Sequence, residues 1–295
     1  MRGKSDRKFQ IFTHIVLCLE SLLVLIPFVL LLSASFSNAE DITLYGYSLI
    51  PKNFSLDAYE YIWNEKLQIF RAYFVTIMVT AIGTTIGLFL TLLYAYVLSK
   101  PAFPGKTFFS LYLFFTMLFN GGLVPTYILY TRYIHIQNTL AALIIPTLLL
   151  NAFNVILVRS YIQNNIPVAL TEAAIIDGAG EYKIFGVIIL PLAKPIIVTV
   201  GLFIGIAYWN DWTNGLYYVA DNNLYSIQQL LNNMLRNIQY LSQNPTSRMI
   251  VNTGNIPQAT VRMAIAVVGI LPIIVIYPFI QKYFIKGIAL GAVKG

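Results

Sequence analysis

An all-α membrane protein of six transmembrane helices, with both termini on the cytoplasmic face, is the fold that three features of this 295-residue chain predict. The first is composition: 58% of residues are apolar and 11% charged, with a mean hydropathy of +0.71. Soluble domains run at roughly 45–50% and about 25%. The second is a set of uncharged apolar runs that approach or exceed the ~20 helical residues needed to cross hydrocarbon. The third is the placement of Lys and Arg. Six crossings put both termini on one side, and the segments on that side carry twelve basic against four acidic residues. The opposite segments carry seven of each, and Glu20 lies inside the first span. The excess of basic residues marks the cytoplasmic side, so the net charge of +7 reports topology and not nucleic-acid binding.

The predicted spans follow in order. Ile11 to Leu32 comes after a basic tail. It exceeds the 7–15 apolar residues of a signal-peptide core and has no evident small-residue cleavage site, so it reads as a retained anchor. It contains Cys18, the single cysteine, which excludes an intrachain disulfide or a cysteine metal cluster. It also contains Glu20, for which pairing with a Ser, Thr or partner-helix group is favoured over ion coupling. An external loop, Ser33 to Arg71, leads to the second span, Ala72 to Leu98, and the third runs from Phe108 to Tyr130. Within the third, Gly121-Gly122 and Pro125 mark a break or a close helix approach. The fourth is Leu140 to Val158, the fifth Ile196 to Tyr217 and the sixth Met263 to Phe284. Outside the spans lie an internal segment, about 159–195, and an external loop, about 218–262. Neither is large enough for a catalytic domain, and no repeat is visible, so residues 1–295 read as one transmembrane domain.

The internal segment carries the strongest signal. Pro167 starts a helix where its missing N–H is not needed, and Glu172 lies toward the positive end of that helix. Gly178 supplies the positive φ that stops it after Asp177, and Glu181 to Leu190 forms a second helical stretch ahead of Pro191 and Pro195. Glu172-Ala173-Ala174, then Gly178, then Ile188, Leu190 and Pro191 reproduce a spaced pattern. It resembles the cytoplasmic loop signature of permease subunits of bacterial ABC importers, E-A-A, three residues, G, nine residues, I-x-L-P. Asp177 and Ala179 beside Gly178, Phe185, and the chain end from Lys286-Gly287 through Gly291 to Gly295 resemble the carbohydrate-uptake branch. The likeness covers essentially the whole chain and is greatest to the smaller permease of maltose-type importers that handle larger oligosaccharides.

The resemblance implies a type I importer permease fold in a bacterial plasma membrane. It makes Glu172, Ala173, Ala174, Asp177, Gly178, Leu190 and Pro191 the ATPase-coupling residues. The implied partners are a second, similar permease, two ATP-binding subunits that hold ATP and Mg, and an external sugar-binding protein. No cofactor is implied in this chain.

For the translocation path, 13 residues from Ile196 to Tyr208 rise only about 20 Å of a ~30 Å hydrocarbon core. Trp209-Asn210-Asp211-Trp212 therefore begins inside membrane depth, where an acid and an amide are expected to face a cavity rather than lipid. An outer-interface aromatic belt is the competing reading. Asn120, Tyr127, Asn151 and Asn154 are further path candidates, and Arg262 at the mouth of the sixth span is explained as well by snorkelling as by a contact.

Other chemistry is poorly supported. Pro104-Gly105-Lys106-Thr107 lacks the first glycine of a phosphate-binding loop, because Lys100 stands there. His14 and His135 are the only histidines and lack ligand spacing, so neither a metal site nor a catalytic residue is assigned. The alternative class is an ion-coupled secondary transporter, against which stand the missing repeat and the scarcity of intramembrane charge. A membrane-bound enzyme ranks third.

Overall fold

The computed structural model describes residues 4–243 and 258–292, with side chains at 9–240, 259–276 and 278. The side chains of the chain-end motif from Lys286 onward, and Arg2, Arg248 and Lys294 of the charge count, lie outside the described residues. Among those described, all regular structure is helical apart from one antiparallel bridge between Ser37 and Phe54. The fold has two compact units, residues 1–69 with 231–274 and residues 70–230 with 275–295.

In the first unit, α1 (Lys4–Ser35) is apolar on every side, and its spanning stretch, Phe9–Ser35, leaves nearly all of its side chains exposed, as a lipid-facing helix requires. Glu20 is exposed on it without a hydrogen bond or ion pair among the described residues. Packing begins where α1 ends. Ser35 Oγ lies 2.8 Å from the Tyr59 hydroxyl, and the Phe36 ring stacks on Phe54 at 5.6 Å and on Tyr59 at 4.8 Å. Burial pushes the Tyr59 hydroxyl above its ordinary pKa of 10.0, while the Ser35 hydrogen bond opposes the shift. Two short helices complete the loop. Asn38 caps α2 (Ala39–Tyr45) by accepting from Glu40 N, and α3 (Asp57–Asn64) buries Ala58 and Ile62.

The second unit holds most of α4 (Lys66–Ser99) and the main core, which includes Val75, Leu98, Val155, Val158, Val200 and Tyr208. After α5 (Lys106–Leu118) the chain turns through 112° at Gly122, φ +89°, into α6 (Leu123–Ile128) and a π turn, Leu129–Tyr133. The expected third span is therefore bent where the paired glycines stand.

The expected fourth span is interrupted. Its residues form α7 (Leu140–Ile144) and α8 (Ala152–Asn165), separated by 145–151. Pro146 has no N–H to continue a helix. Leu148 N then closes a tight turn on Pro146 O at 2.7 Å around Thr147, whose φ is +61°. Next come α9 (Val168–Ile176), α10 (Glu181–Lys183), a π stretch, Ile184–Ile189, and α11 (Leu190–Leu192). The chain bends by 83° into α12 (Lys194–Trp209). The expected fifth span thus ends at Trp209, and α13 (Thr213–Tyr218) is a separate short helix. Amphipathic α14 (Ile227–Gln243) and the last helix, Gln258–Ala292, complete the order. Among the described residues, three helices are each long and apolar enough to cross a membrane, or up to five spans if each bent pair is one. The expected fourth span is not in this count, because the break at Pro146 divides it into two short helices.

Candidate functional site

The internal loop is built around one nine-residue helix. Ile166 N closes α8 on Ile162 O at 3.1 Å, and Pro167, extended at φ −60° and ψ 130°, precedes α9 and needs no donor there. At the far end Gly178 takes φ +77°. Its N–H bonds Ile175 O at 3.0 Å and Ala179 N bonds Ala174 O at 2.8 Å, the two-bond glycine stop that satisfies terminal carbonyls. Ala174 and Ala179, the small residues that meet in this stop, both rest on the core. A side chain at Gly178 would meet open space, so the requirement is the backbone angle and not room.

A helix this short is marginal alone, and its packing is slight: α9 buries no residue, although Ala174 rests on the core. Val168, Leu170 and Ile175 are exposed, Ile176 is 85% exposed, and Tyr182 beyond the turn is 92% exposed. Glu172, Ala173 and Asp177 are exposed on the same element, and neither carboxylate has a hydrogen bond or ion pair among the described residues. Glu172 is the fifth residue of α9, beyond the first turn, so the helix-end stabilisation expected of it falls away. Leu190 and Pro191 behave differently: Leu190 packs on the core and Pro191 starts the return toward α12. The signature thus divides into an exposed part, residues 172–178, and a root fixed by the buried Ile184, Phe185 and Ile189.

The residues proposed for the path are mostly engaged in local structure. Trp209 ends α12, 8% exposed, with its indole N–H buried and unpaired among the described residues. Asn210 is exposed and Trp212 half-buried. Asp211 Oδ1 accepts from Thr213 N at 3.1 Å, Thr213 Oγ1 at 2.7 Å and Asn214 N at 3.4 Å, and so caps α13. Asn120 accepts from Gly122 N at 2.9 Å, and Asn151 caps α8 by accepting from Phe153 N and Asn154 N. Asn154 is buried on α8. Tyr127, the one aromatic candidate outside the tryptophans, stacks on Tyr218 at 5.9 Å, and Tyr130 meets Tyr218 edge-on at 5.8 Å.

Several structural residues escaped the sequence reading. Tyr208, 2% exposed, donates its hydroxyl to Ile144 O at 2.8 Å, and Asn214, 3% exposed, donates Nδ2 to Pro146 O at 3.0 Å. These two satisfy carbonyls freed by the break in the fourth span. Gly83 lets the Tyr208 ring approach so closely that a Cβ there would lie 2.5 Å from it. Asn138, at φ +57°, receives Ala220 N at 2.6 Å and Asp221 N at 3.2 Å. Pro146 was the available signal for the break. The partners across it are contacts between distant segments, which local pattern does not carry.

Long apolar helices, two bent spans and a capped apolar helix left exposed outside them define the class: a multi-pass membrane protein. The chain belongs to the family described as binding-protein-dependent transport system inner membrane component, whose pattern it matches over residues 101–290. It is 38% identical over 292 residues to the polygalacturonan/rhamnogalacturonan transport system permease protein YtcP of Bacillus subtilis, covering 98% of this chain and 99% of that one. It is 27% identical to the trehalose/maltose transport system permease protein MalG of Thermococcus litoralis, covering 94% of each. Its fold matches a chain in the crystal structure of a bacterial ABC transporter involved in the import of the acidic polysaccharide alginate. The TM-score is 0.79 at 31% identity, covering 96% of this chain and 99% of that one. The protein is a multi-pass permease subunit of a bacterial sugar ABC importer.

Proposed function

We propose that this chain forms half of the translocation pathway of an ATP-driven importer of oligosaccharides, completed by a second, similar permease. Two ATP-hydrolysing subunits dock on α9 from the cytosol, and an external binding protein delivers the sugar. The observation that carries the reading is the exposed α9. Burying an aliphatic side chain of this size is worth about 1.5–3 kcal/mol, and α9 leaves Val168, Leu170, Ile175 and Ile176 exposed beside Glu172 and Asp177, which have no ion pair among the described residues. An apolar surface with acids in it, on a rigidly capped helix outside the spans, suits a cleft of another protein with basic or donor groups. ATP-driven closure of the motors displaces α9, and the bundle changes between two discrete arrangements.

Carboxylated oligosaccharides are the favoured cargo, because polygalacturonan and alginate, named for two of the relatives, both carry carboxylates. The test is uptake into proteoliposomes that hold the chain with its partner subunits. Entry of uronate oligomers that requires internal ATP and external binding protein is the expected result. Uptake that survives without ATP and collapses with the ion gradient would overturn it.

A further inference from the structure

Both legs of α9 are fastened to one place. On the side before it, Gln163 Nε2 donates to Ser99 O at 3.2 Å. On the side after it, Glu181 opens the helix that follows the Gly178 turn, and its Oε2 accepts the Tyr96 hydroxyl at 2.7 Å while pairing with the Lys100 ammonium. Tyr96 and Ser99 lie in the last turn of α4, and Lys100 follows it directly. The register is fixed twice. Lys100 Nζ sits 4.6 Å from the Tyr96 ring centre, and that ring tilts onto Phe185 at 5.2 Å. Tyr96 and Lys100 are four residues apart, as are Glu181 and Phe185, so a pair at the end of α4 meets a pair in the segment after the turn.

Stability alone does not account for this cluster. The ion pair is partly solvated, with the Glu181 side chain 58% exposed, and solvated pairs contribute little. The segment is already held by the buried Ile184, Phe185 and Ile189. What the carboxylate adds is direction, because it ties the loop to a buried tyrosine on a 34-residue helix. Taking α9 as the docking helix, as read above, we infer that Tyr96, Lys100 and Glu181 are positioning residues that form the joint through which displacement of α9 is delivered to α4.

The test uses the whole importer, with its second permease and ATPase subunits, in proteoliposomes with binding protein outside, and reads sugar moved per ATP hydrolysed. In E181A that ratio falls about fivefold or more, the lower range of intersite coupling, while the ATPase subunits stay bound and hydrolysis continues. The exchange K100E with E181K restores it. An unchanged ratio, a loss the exchange does not repair, or release of the ATPase subunits overturns the joint. Should E181A fail to insert, E181Q and Y96F are read in the same way, and a fall in the ratio with intact assembly is required of both. The docking reading has its own control. If E172K keeps its ATPase subunits and normal uptake, that reading fails, whereas a dead E172K beside a neutral E181A sinks only the joint.

Discussion

The turn at Asp211 and the helix α9 both interrupt an apolar chain, yet they dispose of their side chains in opposite ways. At Asp211 the polar groups are consumed inside the molecule: the carboxylate caps α13, Ser226 Oγ donates to Asp211 O at 3.2 Å, and Asn214 reaches across to Pro146 O. At α9 almost nothing is consumed: no residue is buried and two carboxylates stand free among the described residues. Polar sequence inside an apolar chain therefore has two meanings. At Asp211 its donors and acceptors close on neighbouring backbone, and at α9 they stay open beside exposed aliphatic side chains, the surface on which the proposed docking rests.

The largest effects are expected at α9. Gly178→Val forces a β-branched side chain into φ +77°, a conformation that costs on the order of 1–3 kcal/mol for a non-glycine residue. The helix stop should then re-form elsewhere and tilt the exposed face. Glu172→Lys reverses one of the free charges without touching the stop. Both variants should reach the membrane in normal amount and lose uptake, Gly178→Val through orientation and Glu172→Lys through recognition. Co-purification of the ATPase subunits checks this, and normal retention with normal uptake would return α9 to the status of an ordinary connector.

The opposite pattern is expected across the break in the fourth span. Asn214→Leu removes one of the two hydrogen bonds to Pro146 O and leaves it only Leu148 N, at a cost of about 0.5–1.5 kcal/mol. Gly83→Ala places a Cβ within 2.7 Å of three Tyr208 ring atoms, and the ring is tethered by its hydroxyl to Ile144 O. Overpacking of this kind costs about 1–3 kcal/mol. Both should lower the melting temperature of the purified complex while leaving ATPase subunits bound. Loss of ATPase binding without loss of stability would blur the distinction drawn between the two regions.

These contrasts also explain what was legible in the sequence. The helix of the internal loop was readable to within a residue, because Pro167 and Gly178 act through their own backbone angles, and such rules are local. The signature itself was read by its resemblance to importer permeases and not from local rules. The course of the third, fourth and fifth spans was less legible. Pro146 and the Gly121-Gly122 pair announced breaks, but a hydropathy run continues through them, and the donors that make the breaks tolerable come from Tyr208 and Asn214, more than sixty residues away. Asp211 was read as a path residue because an acid at membrane depth is costly. Its carboxylate meets that cost through the start of α13, which periodicity did not separate from α12.

Asp211 can be made to tell its two roles apart. Asp211→Ala loses the cap, worth about 0.5–2 kcal/mol, and Asp211→Asn keeps a capping oxygen while removing the charge. If the cap is its whole role, the alanine variant is less stable and the asparagine variant transports normally. If the carboxylate faces cargo, asparagine alone changes the preference among sugars at unchanged abundance. Uptake measured with a charged and a neutral oligosaccharide in the two variants decides between them.

The smallest effect is expected at Thr147. Its φ of +61° is unfavourable for a β-branched residue, and the side chain is exposed. Glycine there removes strain of about 1–3 kcal/mol, offset by roughly 1 kcal/mol of extra freedom in the unfolded chain, so Thr147→Gly should raise stability by about 1 kcal/mol. Because the break is held by Tyr208 on Ile144 O and Asn214 on Pro146 O and not by the Thr147 side chain, uptake should stay unchanged while the melting temperature rises. A Thr147→Gly complex that melts higher but transports more slowly would show that strain in this turn serves the movement of the bundle. The break in the fourth span would then belong with α9 among the working parts, and not with the architecture.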